Sequence, residues 1–335
     1  MIAARPISKR QTFTAVPRVD VDALDKRTTE HLFSGTTPII VEGLQRGWPD
    51  DVATGQIRDV ALLNVAPESI FINGKQVFDV DTAAFIESVE NNENVRVFGA
   101  RMVPRLNDVL RTPRHLFERL EHMDLWRNGN DKPIAFIGAG GAVTPLHYDH
   151  EENENWHIVL AGERTVFLWT DDQSARLLKL PFIGLSFGLF MGPLFTTRLA
   201  RGMRADLRTG DLLFMPRRCW HQVEYPKPSM AVTFSFHKTK TEQVEGRDRG
   251  DFWEGYMSYL QGIALGRRKQ LIYLPVVLPL LVFGTVYVPA RLALSAIPGQ
   301  VGRWCAAPLV ALERLLYRAY LPFFQFAKRK FWVGY

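Results

Sequence analysis

Hydrophobic and polar positions divide the chain into three stretches of different texture. From residue 36 the run TTPIIVEGL predicts a short buried strand closed by Gly43, and QRGWPD after it predicts a turn anchored by Trp48. Strands are expected at 68–72, 77–80 and 94–98, helices at 82–90 and 105–124, and a loop around Asn91, Asn92 and Asn94. Between 134 and 238 the pattern shortens into β-rich runs: IAFIGA, TPLHYD, NWHIVL, ERTVFLW, DLLFMP, HQVEY and MAVTFSF, separated by Gly, Pro, Asp and Asn. Many short strands at close spacing predict a sandwich or small barrel. After about residue 245 the strand pattern stops and the chain turns helical and strongly apolar. The expected architecture is mainly β with α. A β-rich domain over 1–245, carrying an N-terminal α/β elaboration, precedes an apolar and basic helical region over 246–335.

Composition narrows the function classes. A chain of 335 residues with 47% hydrophobic content can bury a sizeable core, which excludes disorder as the default. The net charge of +6 is too small and scattered for a dedicated nucleic-acid binder, and no nucleic-acid partner is expected. Part of the basic excess gathers late, at Arg267, Arg268, Lys269, Arg291, Arg303, Arg314, Arg318, Lys328, Arg329 and Lys330. Cys219 and Cys305 cannot form a disulfide framework, and no zinc-type spacing surrounds them, so a reducing compartment fits. The opening MIAARPISKRQTF has no apolar run that would serve as a signal peptide, and a cytoplasmic location is expected.

The chemistry-bearing text lies in the β-rich stretch. Residues i and i+2 of a strand share a face, so LHYD sets His147 and Asp149 side by side while Tyr148 points away. His221 follows TGDLLFMP, a turn and strand that would deliver a second imidazole to the rim of a barrel. Two histidines and one carboxylate on one face of an octahedron leave three positions open, the arrangement of non-haem Fe(II) oxygenases. No GxSxG or other nucleophile motif competes. His157 and His237 are expected to be satisfied core histidines, and His150, Glu151, Glu152 and Glu154 a solvated acidic loop.

The blocks VTPLHYD, GERTVFLW and GDLLFMPRRCWHQVEY resemble, in order and spacing, strands of the cupin-like JmjC hydroxylase family, of which the factor-inhibiting-HIF asparaginyl hydroxylase is a familiar member. PIIVEGLQRGWP resembles the family's N-terminal segment, and the likeness covers roughly residues 15 to 240. The resemblance implies a double-stranded β-helix with Fe(II) at its open mouth, held by His147, Asp149 and His221. It also implies 2-oxoglutarate as co-substrate and O2 as oxidant, yielding succinate, CO2 and a hydroxylated C–H bond. Arg164 matches the position where a family lysine grips the far carboxylate of 2-oxoglutarate, and a planar guanidinium can replace it with two parallel hydrogen bonds. Thr144, Asn155 and Ser235 take the remaining co-substrate positions. Two departures accompany the match. Phe98 stands where the family often has a tyrosine, and a two-residue excess between Asp149 and Gly162 leaves Asn153 as the alternative to Asn155.

Two apolar stretches fall outside that likeness or interrupt it. Residues 181–197 carry no charge, and their Gly and Pro content predicts a lid or loop exposing Phe182, Leu185 and their neighbours. Residues 270–290 reach the length that spans a bilayer, but Pro275, Pro279 and Pro289 would each break an intrahelical hydrogen bond, which lipid tolerates poorly unless neighbours compensate. Residues 304–326 interleave apolar residues with arginine and are followed by AKRKFWVGY, the pattern of a helix at a membrane surface with a basic, aromatic tail. Attachment to the inner face of a membrane and a lipid or other apolar small-molecule substrate are expected, a peptide side chain being the second substrate class. Burial of the same helices in a homodimer is the competing reading, and a non-catalytic cupin-like binding module the competing function.

Overall fold

The computed structural model describes residue 7 and residues 12–64, 70–72, 75–77, 82–91, 96–101, 134–149, 152–182, 184–186, 198–264, 266, 268–297 and 299–331. In chain order its strands and helices begin with β1 (Thr14–Ala15), β2 (Arg18–Asp20), α1 (Lys26–Ser34), β3 (Ile39–Glu42), α2 (Asp50–Ala53) and α3 (Ile57–Asn64). There follow β4 (Ile70–Ile72), β5 (Lys75–Val77), α4 (Thr82–Glu90), β6 (Arg96–Arg101), β7 (Ile134–Gly138), β8 (Val143–His147) and β9 (Glu154–Trp169). The barrel is completed by β10 (Met203–Arg208), β11 (Leu212–Met215), β12 (Trp220–Glu224) and β13 (Ser229–Phe236). Four helices come last: α5 (Lys240–Ala264), α6 (Arg268–Leu271), α7 (Leu274–Ser295) and α8 (Gly299–Phe331).

The curl of the sheet comes from β9. The sequence pattern predicts two strands, NWHIVL and ERTVFLW, yet the backbone runs through both as one strand of 16 residues. Gly162 makes this continuity possible by adopting a φ of 76°, where a Cβ would collide with the Pro228 carbonyl. The register of β13 on β9 shifts between Met230 and Ala231 at the same place. The half of β9 before the bend joins the order β2-β3-β11-β9-β13-β7-β6, and the half after it pairs with β10 and β12, which continue to β1 and β8. One strand thus belongs to both walls of a mixed, curled half-barrel, as the barrel expectation requires.

The two faces of β9 bury different partners. Trp156, Ile158 and Leu160 face outward against the N-terminal helices, where Phe33 packs on Trp156 at 4.5 Å between ring centroids and Val60, Ile86 and Val89 close the layer. Val159, Val166 and Leu168 face inward with Leu213, Val223 and Ala231. A third cluster, built on Tyr148, Trp169 and Trp220, plugs the end of the barrel beyond β8. Trp48 is buried as the expected anchor, and α4 occupies 82–90. The pattern reading missed β10, because MRADLR turns Arg204, Asp206 and Arg208 to solvent and offers only Ala205 and Leu207 to the core. The helix expected at 105–124 lies outside the described residues.

In the C-terminal region α8 runs along α5 over a core of Phe252, Tyr259, Phe324 and Ala327. Gly255 permits this approach, since a Cβ there would strike the Phe324 carbonyl. The prolines do not break α7: Pro275 sits in the first turn, where no backbone donor is needed, and the helix continues through Pro279 and Pro289. Packing through Val277, Leu280 and Tyr287 holds it there. The segment 181–186 is not the exposed lid the sequence predicts. Phe182 packs on Phe252 and Phe283, Leu185 bridges to His147, and Ser186 is buried; Ile183 and 187–197 lie outside the described residues.

Candidate metal centre

β8 and β12 pair antiparallel with His147 opposite His221, so two imidazoles from distant parts of the chain meet with ring centroids 4.2 Å apart. Asp149 lies two residues past the end of β8, with Oδ1 3.7 Å from His147 Nε2 and 4.0 Å from His221 Nε2. The ligand atoms of the three residues all lie within 4.8 Å of one another, close enough to share one ion. Tyr148 points the other way, edge-on to Trp220, as the pleat demands.

Each ligand is aimed by a second contact. His147 Nδ1 lies 2.7 Å from the Pro145 carbonyl and His221 Nδ1 3.0 Å from the Cys219 carbonyl. A ring nitrogen facing a carbonyl must carry the proton, which leaves both Nε2 lone pairs directed into the space shared with Asp149. Asn155 Nδ2 donates to Asp149 Oδ2, and Ser235 Oγ donates to Asn155 Oδ1 at 2.6 Å. Asn155 and Ser235 therefore stand behind the carboxylate ligand. Asn155 is held there because it pairs with both Met215 and Ser235 in the sheet.

From the three ligands a pocket runs inward past Thr144 and Met215 to His157, Thr233 and Tyr225. Arg164, with only 1% of its surface exposed, stands behind that inner end, against the lining residues His157, Phe136 and Tyr225. Its Nε donates to Ser229 Oγ at 2.8 Å, Nη1 to His157 Nε2 at 2.8 Å and Nη2 to the Phe136 carbonyl at 3.3 Å, and the guanidinium lies 4.9 Å from the Tyr225 ring centroid. Among the described residues no carboxylate stands within ion-pair distance of it. Burial pushes the Arg164 pKa down, and burial with the Arg164 charge beside it holds His157 well below the usual imidazole value. His157 is therefore neutral, accepting a hydrogen bond from Arg164 at Nε2 and donating from Nδ1 to Thr233 Oγ1 at 2.7 Å. The core-histidine expectation for His157 describes its bonding, but its place in the pocket wall was not foreseen.

The acidic loop differs from its expected solvated state. Glu152, 1% exposed and at a φ of 56°, is gripped by Arg217 at 3.0 Å, Arg218 at 2.8 Å and Arg249 at 3.1 Å. Glu154 is buried beside Lys238 at 2.8 Å. Three arginines from the β11–β12 connection and α5 make the difference, and none is adjacent in sequence to Glu152. His150, Glu151 and the Phe98 side chain lie outside the described residues; the Phe98 backbone pairs with Phe136.

A family model described as a cupin-like domain matches residues 71–242, just over half of the chain. The chain belongs to the cupin-like domain family. The matched residues contain all three candidate ligands, Arg164 and the whole of β7 to β13. HSPB1-associated protein 1 of Bos taurus is 29% identical to this cupin-like chain over 137 residues, covering 35% of the chain and 27% of that protein. The match thus spans about a quarter of the curated relative's length, and it supports the family without singling out its asparaginyl hydroxylases.

Proposed function

We propose that this cupin-like protein is an Fe(II)- and 2-oxoglutarate-dependent oxygenase that hydroxylates a C–H bond. The donor set of two imidazoles and one carboxylate suits Fe(II) and leaves positions for a chelating co-substrate. The observation that carries the co-substrate is Arg164. An unbalanced buried guanidinium costs several kcal/mol, and Arg164 spends three of its five N–H groups on neutral acceptors. A carboxylate arriving down the pocket would supply the missing negative charge and accept the two remaining donors. When bound, the metal and 2-oxoglutarate supply the oxidising power, consuming O2 and releasing succinate and CO2. The chain's own work is to hold both Nε2 atoms and Asp149 in place, to keep His157 neutral so that Arg164 remains the only cation at the inner end among the described residues, and to line the path with the Thr144 and Thr233 hydroxyls.

A lipid or other apolar substrate, met at the cytoplasmic face of a membrane, is supported by the uncovered apolar faces of α7 and α8. The decisive experiment is anaerobic titration of the Fe(II)-loaded protein with 2-oxoglutarate, read by the metal-to-ligand charge-transfer absorption. The native protein should develop the band. Arg164→Met should keep Fe(II) affinity and weaken 2-oxoglutarate binding about 100-fold, the effect of losing roughly 3 kcal/mol of charged hydrogen bonding. Absence of the band in the native protein, or an Arg164→Met variant that binds equally well, would favour a non-catalytic cupin-like binding module instead.

A further inference from the structure

Away from the metal centre, α7 and α8 leave between them and the 171–176 turn a groove of about 950 Å³. Arg291 enters it from α7 and Arg303, Arg314 and Arg318 from α8, with Arg176 at the barrel end. Positions 303, 314 and 318 share one face of the helix through the intervening steps of three and four at 307 and 311. Leu294, Ile297 and Val310 make part of its lining apolar. The carboxylates that face it are Asp171, already beside Arg218 and Ser174, and Asp172, which accepts from Thr170 and Gln173. Arg176 donates to Gln173. Glu313, on the same helix, is turned inward to Lys179 and Tyr287. Among the described residues, Arg291, Arg303, Arg314 and Arg318 form no ion pair.

Beside the arginines the helices are apolar and uncovered. Leu278, Val282 and Val286 of α7 and Val301, Leu312 and Leu315 of α8 are exposed, and Trp304 is 72% exposed. A tryptophan left in this way beside arginines is the composition of a membrane interface. α7 has the length and hydropathy to cross a bilayer, with 17% of its apolar window buried. Its packing argues for lying along the surface instead. Tyr287 is fixed to Glu313, Gly284 faces Pro181 closely enough that an added Cβ would meet it, and α8 carries charges along its length beside it.

We propose that this groove binds the phosphate headgroup of an anionic phospholipid while the neighbouring apolar faces of α7 and α8 sink into the acyl boundary. The chemistry is complementary at each point. Guanidinium forks bind phosphate bidentately, and a groove of this volume with a partly apolar lining accommodates a glycerol backbone. The inference rests on the membrane-proximal part of the proposed function and adds a specific lipid site to it.

Vesicle flotation of the full-length protein tests it. Vesicles of phosphatidylcholine alone should bind weakly, and replacing about a third of the lipid by phosphatidylglycerol should raise the bound fraction at least tenfold, each arginine near an anionic surface contributing to attraction. The triple variant Arg291→Gln, Arg314→Gln, Arg318→Gln should lose that gain while keeping its circular dichroism and 2-oxoglutarate titration. A control with Arg204, Arg208 and Lys227 changed to Gln, removing equal charge from the barrel surface, should bind like the native protein. Equal binding of the triple variant, or equal loss in the control, overturns the groove and leaves membrane attachment standing. Failure to bind any vesicle, with a stable dimer in solution, overturns both. Displacement from vesicles by millimolar glycerol phosphate or inorganic phosphate assigns the groove to a soluble phosphate and overturns the lipid proposal.

Discussion

Asn155 shows how much one side chain can settle. Its amide joins Ser235 to Asp149, so the carboxylate ligand is oriented by a chain of two hydrogen bonds before any metal arrives. Such outer contacts are commonly worth 10- to 100-fold in metal affinity. Asn155→Ala is expected to weaken Fe(II) binding by about that factor in anaerobic calorimetry while leaving the fold intact; unchanged affinity would remove Asn155 from the metal site. Glu154, its neighbour, makes a different prediction. Burial raises its pKa from 4.5 to about 7, against the opposing pull of Lys238. The folded protein therefore holds this proton more tightly than the unfolded chain. The contribution is fully present below pH 4.5 and is lost as pH rises to about 7, to a total of about 3 kcal/mol. Urea unfolding at several pH values should show this decline, and Glu154→Gln should remove it. Single residues were also where the sequence was most legible. His147 and Asp149 follow from identity and the two-residue strand repeat, whereas the neutral cradle of Arg164 needs Ser229, His157 and the Phe136 carbonyl, which come together only through pairing of distant strands.

Strand β9 explains why element-level reading broke down where it did. Its inward residues are odd-numbered before the bend, at Asn155, His157 and Val159, and even-numbered after it, at Arg164, Val166 and Leu168. Alternation read from either side ends at Gly162, so two strands were expected from one. The phase change also brings Arg164 onto His157 in the pocket wall although seven residues separate them. Gly162→Ala must place a side chain at positive φ against the Pro228 carbonyl. A loss of at least about 2 kcal/mol is expected in urea unfolding, with weaker 2-oxoglutarate binding because Arg164 shifts relative to His157. A variant with native stability and affinity would show that the bend does not set the pocket.

At the scale of the whole molecule the barrel and the C-terminal helices meet through Glu313. Its carboxylate accepts from the Phe182 backbone at 2.8 Å and from Tyr287, and lies 3.5 Å from Lys179. The segment it pins leads directly to the metal ligands: Gly184 accepts from the Tyr148 backbone at 2.9 Å, and Leu185 bridges to His147. No periodicity connects position 313 with positions 179 and 182, so this link was invisible in the sequence, which predicted an exposed lid in the place of a buried joint. Removing one member of a buried charged network costs about 3–5 kcal/mol because its partners remain buried without it. Glu313→Ala is thus expected to destabilise the protein by that order. Its specific signature is faster amide hydrogen exchange at 179–186 and at Tyr148, together with a lower Fe(II) affinity, while exchange in β2, β3 and β11 on the opposite wall stays native. Glu313→Gln keeps an acceptor for Phe182 but loses the charge facing Lys179, so its exchange should fall between the two. If exchange at 179–186 is unaltered in Glu313→Ala, the helices and the metal strand are mechanically independent, and a bound membrane would have no route through this joint to the site.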